Sequence, residues 1–282
     1  MVRTDDLNNY LLAKHRGGEN NLRGGLYEDY YAVFLIVSCL ANYKYELDAV
    51  SFQAQLEDTF VDDLLIAHPD VNIYHQLKNT QTVSWGSIQK KGDIAFDFAH
   101  QIEDCKGRDE DFALKLIYSA KESKVADEVP TEIKSHSSAE WFPFQEDINQ
   151  LVMISNELKD ALRSISSEGA DATDDVLANI AVVVLSAWKK TSVTKTRVTL
   201  SLIVSVIEEQ KEVNISLYPD SKISEECKRI LDAIDGIKYH ISGRMFYWSF
   251  GLLKGYCPWP DKMEAKIIEA NPKTKLELIA LL

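Results

Sequence analysis

The sequence feature that most limits the possible folds is a β-hairpin signal in the first third of the chain. Two short runs of β-type residues, 63–67 and 72–78, are separated by His68, Pro69 and Asp70. Proline and aspartate suit a tight turn between two strands. We therefore predict that these runs are consecutive, neighbouring strands of one sheet.

The segments around this hairpin predict an α/β domain. Apolar residues recur at three- and four-residue steps over residues 26–41, which is typical of a helix with one buried face. A further strand is predicted at 49–56, a helix at 88–103 and another strand at 112–119. The order helix, three strands, helix and strand indicates an α/β fold with a central mixed sheet.

The second half of the chain reads as a separate, mainly helical domain. Residues 121–140 are polar, contain Pro130 and have few large apolar residues, so they predict a linker. We therefore expect an α/β domain at 1–125 and a mainly helical docking or oligomerisation domain at 140–282. Its helices are predicted at 146–165, 173–188, 199–207, 224–234, 261–270 and after Pro272, and a hairpin-like aromatic segment is predicted at 238–248. The segment 199–207 is rich in β-branched residues, so a strand is an alternative there.

Composition and charge exclude several classes of protein. The 282 residues include 31 Lys and Arg against 44 Asp and Glu, a net charge of −13, which argues against coating nucleic acid by bulk electrostatics but not against cleaving it. No apolar run approaches the ~20 residues of a membrane helix, so a cytoplasmic protein is expected. The four cysteines lack zinc spacing, and no Walker-type loop or GxSxG motif is present.

The hairpin also carries a candidate site for phosphodiester chemistry. Gln76 and Lys78 lie two residues apart and so share one face of the strand, and a tight hairpin can bring Asp63 beside them. Hydrolysis of a phosphodiester needs oxygens that hold a divalent cation and a cationic group that orients the attacking water. Asp63 and the Gln76 amide oxygen can supply the first, and Lys78 the second.

These residues resemble the Mrr-like branch of the PD-(D/E)xK, restriction-endonuclease-like nucleases, in which glutamine replaces the usual acid before x-Lys. The resemblance is closest to the double-stranded-DNA endonuclease effector domain of bacterial anti-phage systems, as in Lamassu-type nuclease subunits. It covers residues 16–120. The motifs that carry it are Gly25-Leu26-Tyr27-Glu28, Leu56-Glu57-Asp58, Asp62-Asp63-Leu64-Leu65-Ile66 and His75-Gln76-Leu77-Lys78.

The resemblance implies a role for each residue of the site. Asp63 is the metal aspartate, Gln76 the ligand that replaces the acid, Lys78 the catalytic lysine, and Glu28 the helix carboxylate that completes the site. The Leu77 carbonyl is a further metal ligand. Because glutamine is neutral and a weaker cation ligand than carboxylate, metal binding would depend more strongly on Glu28.

Several alternatives stay open at this stage. A register error of one residue exchanges Asp62 and Asp63. His75 faces away from Lys78 and is expected in the core. The glycine-rich segment 14–25 is predicted as a loop whose cations Lys14, Arg16 and Arg23 either contact DNA phosphate or form a flexible arm. A second cluster, Lys189, Lys190, Lys195 and Arg197, is explained by the dipole at a helix C-terminus.

The resemblance implies a Mg²⁺- or Mn²⁺-dependent DNA endonuclease that stays inactive until a partner or oligomerisation switches it on. An SMC-like ATPase of a defence complex and further copies of this chain are the expected partners. A non-catalytic interaction subunit with a degenerate nuclease fold is the main alternative, and a ribonuclease is another.

Overall fold

The structure is a computed structural model that describes residues 5–43, 46–57, 59–210, 215, 223–242, 245–251, 253–259 and 261–282. For residues 5–21 and for six positions between 242 and 262 it describes the backbone alone. The chain divides into two compact units, one of residues 1–164 and 170–212 and the other of residues 165–169 and 213–282.

The first unit is built on a mixed sheet, which confirms the α/β class. Within the described residues its six strands are arranged in the order β5-β4-β3-β2-β1-β6. The strands β1, β2, β3 and β6 pair antiparallel, whereas β3, β4 and β5 run parallel. Their bounds are Ser51–Ala54 for β1, Leu64–Ala67 for β2, Asn72–Lys78 for β3, Phe112–Tyr118 for β4, Ser137–Trp141 for β5 and Val198–Thr199 for β6.

Helices cover both faces of this sheet. The unit contains α1 at Asp5–Asn42, α2 at Ile94–Gly107, α3 at Ile148–Ile154, α4 at Asn156–Ile165, α5 at Asp174–Ser192 and α6 at Leu200–Glu209. Helix α2 buries Phe98 in one core with Leu65 and Tyr74 of the sheet. Helix α1 lies against the opposite face, where the Tyr31 and His75 rings are 5.6 Å apart.

The second unit combines a small sheet with helices. Strands β7 (Lys238–Ser242), β8 (Met245–Phe250) and β9 (Leu253–Pro258) form an antiparallel meander within its described residues. Helices α7 (Glu225–Asp232), α8 (Asp261–Ala270) and α9 (Lys275–Leu281) share a core with this sheet. The hairpin predicted at 238–248 is therefore present and is extended by a third strand.

Two expectations about the chain's organisation are wrong. Residues 14–25 are not a loop but part of α1, so the glycines there do not end the helix. A Cβ added at Gly24 or Gly25 would have no neighbouring atom within 4 Å, so neither glycine is needed for close packing against another element. The boundary expected between 125 and 140 does not divide the chain, because β5 pairs with β4 inside the first unit. The ambiguous segment 199–207 forms the end of β6 and most of α6.

The four cysteines are buried free thiols. In the described part of the chain, no helix is both long enough and apolar enough to cross a membrane.

Candidate functional site

The hairpin of β2 and β3 positions the candidate aspartate. Leu64 is paired with His75, so Asp63, the residue before β2, is placed beside Gln76. The Gln76 side-chain nitrogen and the Leu77 backbone N–H both donate to Asp63 Oδ2, the second at 2.6 Å. Asp62 is exposed. The structure therefore brings Asp63, and not Asp62, against the Gln-x-Lys strand.

The backbone of Leu77 turns towards the same place. In a strand the N–H and C=O of one residue point to the same side, so the Leu77 carbonyl lies on the Asp63 side of β3. On the other side of β3, the Ser119 N–H donates to the Lys78 carbonyl at 3.2 Å. The Leu77 carbonyl therefore lies beyond the end of β2 and next to the aspartate.

Glu28 of α1 lines a cavity of about 410 Å³ together with Asp63 and Gln55. The Gln55 amide nitrogen donates to Glu28 Oε2 at 2.7 Å, from a backbone with φ of 50° just after β1. Burial, and next the nearby charge of Asp63, raises the pKa of Glu28 from 4.5 to about 7. The two carboxylates are therefore close enough to repel each other.

The pKa of Asp63 is also raised, chiefly because the group is buried. The Leu77 N–H and the charge of Lys78 act in the opposite direction. Burial raises the pKa of both carboxyl groups, so a cation bound between them would stabilise their charged forms.

Lys78 is the last residue of β3 and is half-buried. Its charge lowers the pKa of both Glu28 and Asp63, which places it beside the pair. It also lines a second, larger cavity of about 870 Å³ that includes Arg23 and Asn79. Lys78 therefore acts electrostatically on both carboxylates and also borders the larger cavity.

Arg23 is the one predicted DNA contact whose side chain the structure describes. It is exposed on α1, with its guanidinium 5.5 Å from the Phe144 ring centre and 3.7 Å from a Glu146 oxygen. It lines the same cavity as Lys78. The side chains of Lys14 and Arg16 lie outside the described residues.

His75 lies away from this site. It is buried, its Nδ1 lies 3.3 Å from the Leu64 carbonyl oxygen, and burial lowers its pKa to about 3. The ring is neutral at pH 7 and packs against Tyr31, in agreement with its predicted place in the core.

Sequence reasoning missed Gln101 of α2, which supports the segment that leads into Asp63. This residue is fully buried, and its Oε1 accepts hydrogen bonds from the Phe60 and Val61 amides at 2.9 and 3.2 Å. Its only signal is its place on the buried face of α2, next to Ile102.

Asp29 was missed as well. It accepts from Lys189 at 2.5 Å and from the Trp188 indole at 3.2 Å. Lys189, attributed to the helix dipole from sequence, thus has a carboxylate partner on α1.

The oxygen atoms at the site suit a hard divalent cation. They comprise two carboxylates and the Leu77 carbonyl, and the Gln76 amide would add its oxygen after a half-turn of the group, because its nitrogen is the atom that now donates to Asp63. Oxygen ligands are those that Mg²⁺ prefers. Among the described residues, however, no group of three or more His, Cys, Asp and Glu side chains is placed to hold a metal. A cation here would depend on the amide, the backbone and the substrate phosphate for its remaining ligands.

Comparison with known proteins finds no matching family model and no matching curated protein. Among solved structures, the chain is similar to the Acinetobacter baumannii Cap4 SAVED/CARF-domain containing receptor with the cyclic trinucleotide 2′3′3′-cAAA. The TM-score is 0.36 at 10% identity, over 67% of this chain and 46% of that chain. The chain thus spans less than half the length of that receptor, and this likeness carries no argument about the site.

Proposed function

We propose that the first unit is a metal-dependent DNA endonuclease. The observation that carries this proposal is the convergence of Asp63, Gln76 and the Leu77 backbone, with Glu28 and Lys78 close enough to alter the electrostatics of the aspartate. This arrangement supports the restriction-endonuclease-like nuclease interpretation of the sequence motif.

The proposed division of work follows from the chemistry of each group. Asp63, Glu28, Gln76 and the Leu77 carbonyl would hold Mg²⁺ or Mn²⁺, which when bound polarises the phosphate and activates water. Lys78 would orient the attacking water and offset the negative charge that develops on the phosphate. Arg23, in the same cleft as Lys78, would contact the DNA backbone.

The proposed biological setting rests on the family resemblance alone. It is a bacterial defence complex in which an SMC-like ATPase or self-assembly activates cleavage.

A nicking assay on supercoiled plasmid tests the activity. Lys78→Ala should lower the rate of cleavage in Mg²⁺ by at least about a hundredfold, as expected for loss of a catalytic cation. Lys106→Ala, which removes an exposed lysine at the last turn of α2, is the matched control and should cleave like the wild type. Parallel reactions with single-stranded DNA and RNA distinguish a ribonuclease.

Metal binding gives a second test that does not require the active assembly. Titration with Mn²⁺, followed by electron paramagnetic resonance, should show a site that Asp63→Asn weakens. A protein that neither binds Mn²⁺ through Asp63 nor cleaves any of the substrates is a non-catalytic subunit, and the proposal is then wrong.

A further inference from the structure

Gln55 lies directly opposite Asp63, at the point where the pairing of β1 with β2 ends. Ala54 is paired with Leu64 at the end of these strands, so the next residue on each side is Gln55 and Asp63. The Gln55 backbone N–H donates to the Asp63 carbonyl oxygen at 3.0 Å. This hydrogen bond extends the antiparallel pairing by one residue and ties the Gln55 backbone to that of the candidate aspartate.

The side chain of Gln55 reaches the other carboxylate of the candidate site. Its amide nitrogen donates to Glu28 Oε2 at 2.7 Å. Gln55, Glu28 and Asp63 line one cavity of about 410 Å³. Through its backbone and its side chain, this residue therefore connects helix α1, which carries Glu28, to the segment that carries Asp63.

The backbone of Gln55 has a conformation that glutamine does not favour. Its φ of 50° lies in the left-handed region, which a residue with a Cβ enters only at an energetic cost. Such strain persists where the surrounding contacts impose it, and residues of this kind concentrate at functional sites. The contacts that Gln55 makes in this conformation are those to Asp63 and Glu28.

A neighbouring contact holds the helix that carries Glu28. Asp29, the next residue of α1, accepts hydrogen bonds from the Trp188 indole at 3.2 Å and from the Lys189 ammonium at 2.5 Å. Because α1 is held at Asp29, the main freedom left to Glu28 is rotation about its own side-chain bonds. The hydrogen bond from Gln55 restricts this rotation. It uses Oε2, so a cation can bind the other oxygen, Oε1, without breaking it.

We propose that Gln55 is a positioning residue of the metal site, which holds the Glu28 carboxylate beside Asp63 in the orientation that binds the cation. This inference rests on the proposed nuclease function. Side chains that hydrogen-bond to a metal ligand fix its orientation, and their loss typically lowers metal affinity by about 10- to 100-fold. Gln55 acts through Glu28 and not on the phosphate, so its removal should change metal binding only while Glu28 is present.

Titration of the full chain with Mn²⁺, followed by electron paramagnetic resonance, tests this role. Gln55→Gly removes the amide and accepts a positive φ, and it should weaken Mn²⁺ binding by about tenfold. Gln55→Ala lacks the same amide but keeps the backbone strain. It should weaken Mn²⁺ binding by the same factor and unfold at a lower urea concentration in EDTA than Gln55→Gly.

Two further variants separate positioning from a general structural effect. Gln53→Ala is the matched control, because Gln53 of β1 also donates one side-chain hydrogen bond, to the Lys195 carbonyl oxygen at 3.1 Å. It should bind Mn²⁺ like the wild type. In the Glu28→Gln background, Gln55→Gly should weaken Mn²⁺ binding by less than about twofold, because the carboxylate that it positions is absent.

Three results would overturn the inference while leaving the nuclease proposal in place. Gln55→Gly binds Mn²⁺ as tightly as the wild type, Gln53→Ala weakens binding as much as Gln55→Gly, or Gln55→Gly has the same effect with Glu28 and with Glu28→Gln. A wild-type protein that binds no Mn²⁺ would refute the nuclease proposal itself, and this inference with it.

Discussion

Replacing Glu28 with glutamine should stabilise the metal-free protein at neutral and alkaline pH. The pKa of Glu28 rises from 4.5 to about 7 on folding, because the group is partly buried and close to Asp63. The folded state therefore binds this proton more tightly than the unfolded state. The stability that protonation provides is fully present below pH 4.5 and is lost as the pH rises to about 7.

The size of the effect follows from the pKa difference. A rise from 4.5 to about 7 corresponds to about 3 kcal/mol, and solvent screening of this half-buried group reduces it to about 2 kcal/mol. Glutamine is isosteric, does not ionise and still offers an oxygen to Gln55. The free energy of unfolding of Glu28→Gln should therefore exceed that of the wild type by about 2 kcal/mol above pH 7.

Urea denaturation in EDTA between about pH 4.5 and 8 measures this difference. The gain should be small at the acid end, increase with pH and become constant above pH 7. Glu122→Gln, at an exposed position, is the control and should show no such trend. Added Mg²⁺ should stabilise the wild type more than Glu28→Gln. A gain that does not vary with pH, or that the control shares, would refute the electrostatic account of this carboxylate.

Other variants test neighbouring parts of the structure. Gln76→Glu places a second buried carboxylate against Asp63, so the melting temperature at pH 8 should fall in EDTA, by an amount equivalent to about 1–3 kcal/mol, and recover in Mg²⁺; equal melting temperatures in EDTA would contradict this. Gln101→Leu leaves two backbone amides before Asp63 without their acceptor, so urea denaturation should show a loss of about 1–3 kcal/mol and Mn²⁺ titration weaker binding. Gly86→Ala should cost more stability than Gly92→Ala: both have positive φ, but only at Gly86 would a Cβ overlap another side chain, and equal losses would disprove the steric part.

The hairpin was predictable because its determinants are local. Two short runs of β-type residues and the proline-containing turn between them indicate which strands are neighbours, and β2 and β3 lie at Leu64–Ala67 and Asn72–Lys78. The same register brings Asp63 to Gln76. Short-range pattern was thus sufficient to place the centre of the candidate site.

The edges of the sheet were not predictable from local pattern. β5 has no fully buried residue, so its sequence has the polar composition of a linker. β6 consists of two residues and pairs with β1, which lies more than a hundred residues earlier in the chain. Such pairings depend on tertiary contacts, which a periodicity argument does not contain.

The pairing of β6 with β1 determines where a recombinant fragment of the first unit can be cut. A truncation after residue 125 would remove the strands on both edges of the sheet, together with Trp188, whose ring lies 6.3 Å from that of Phe52. Such a piece would expose two unpaired strand edges and aggregate. Expression trials of the isolated first unit should therefore retain the chain to about Glu209, where α6 ends.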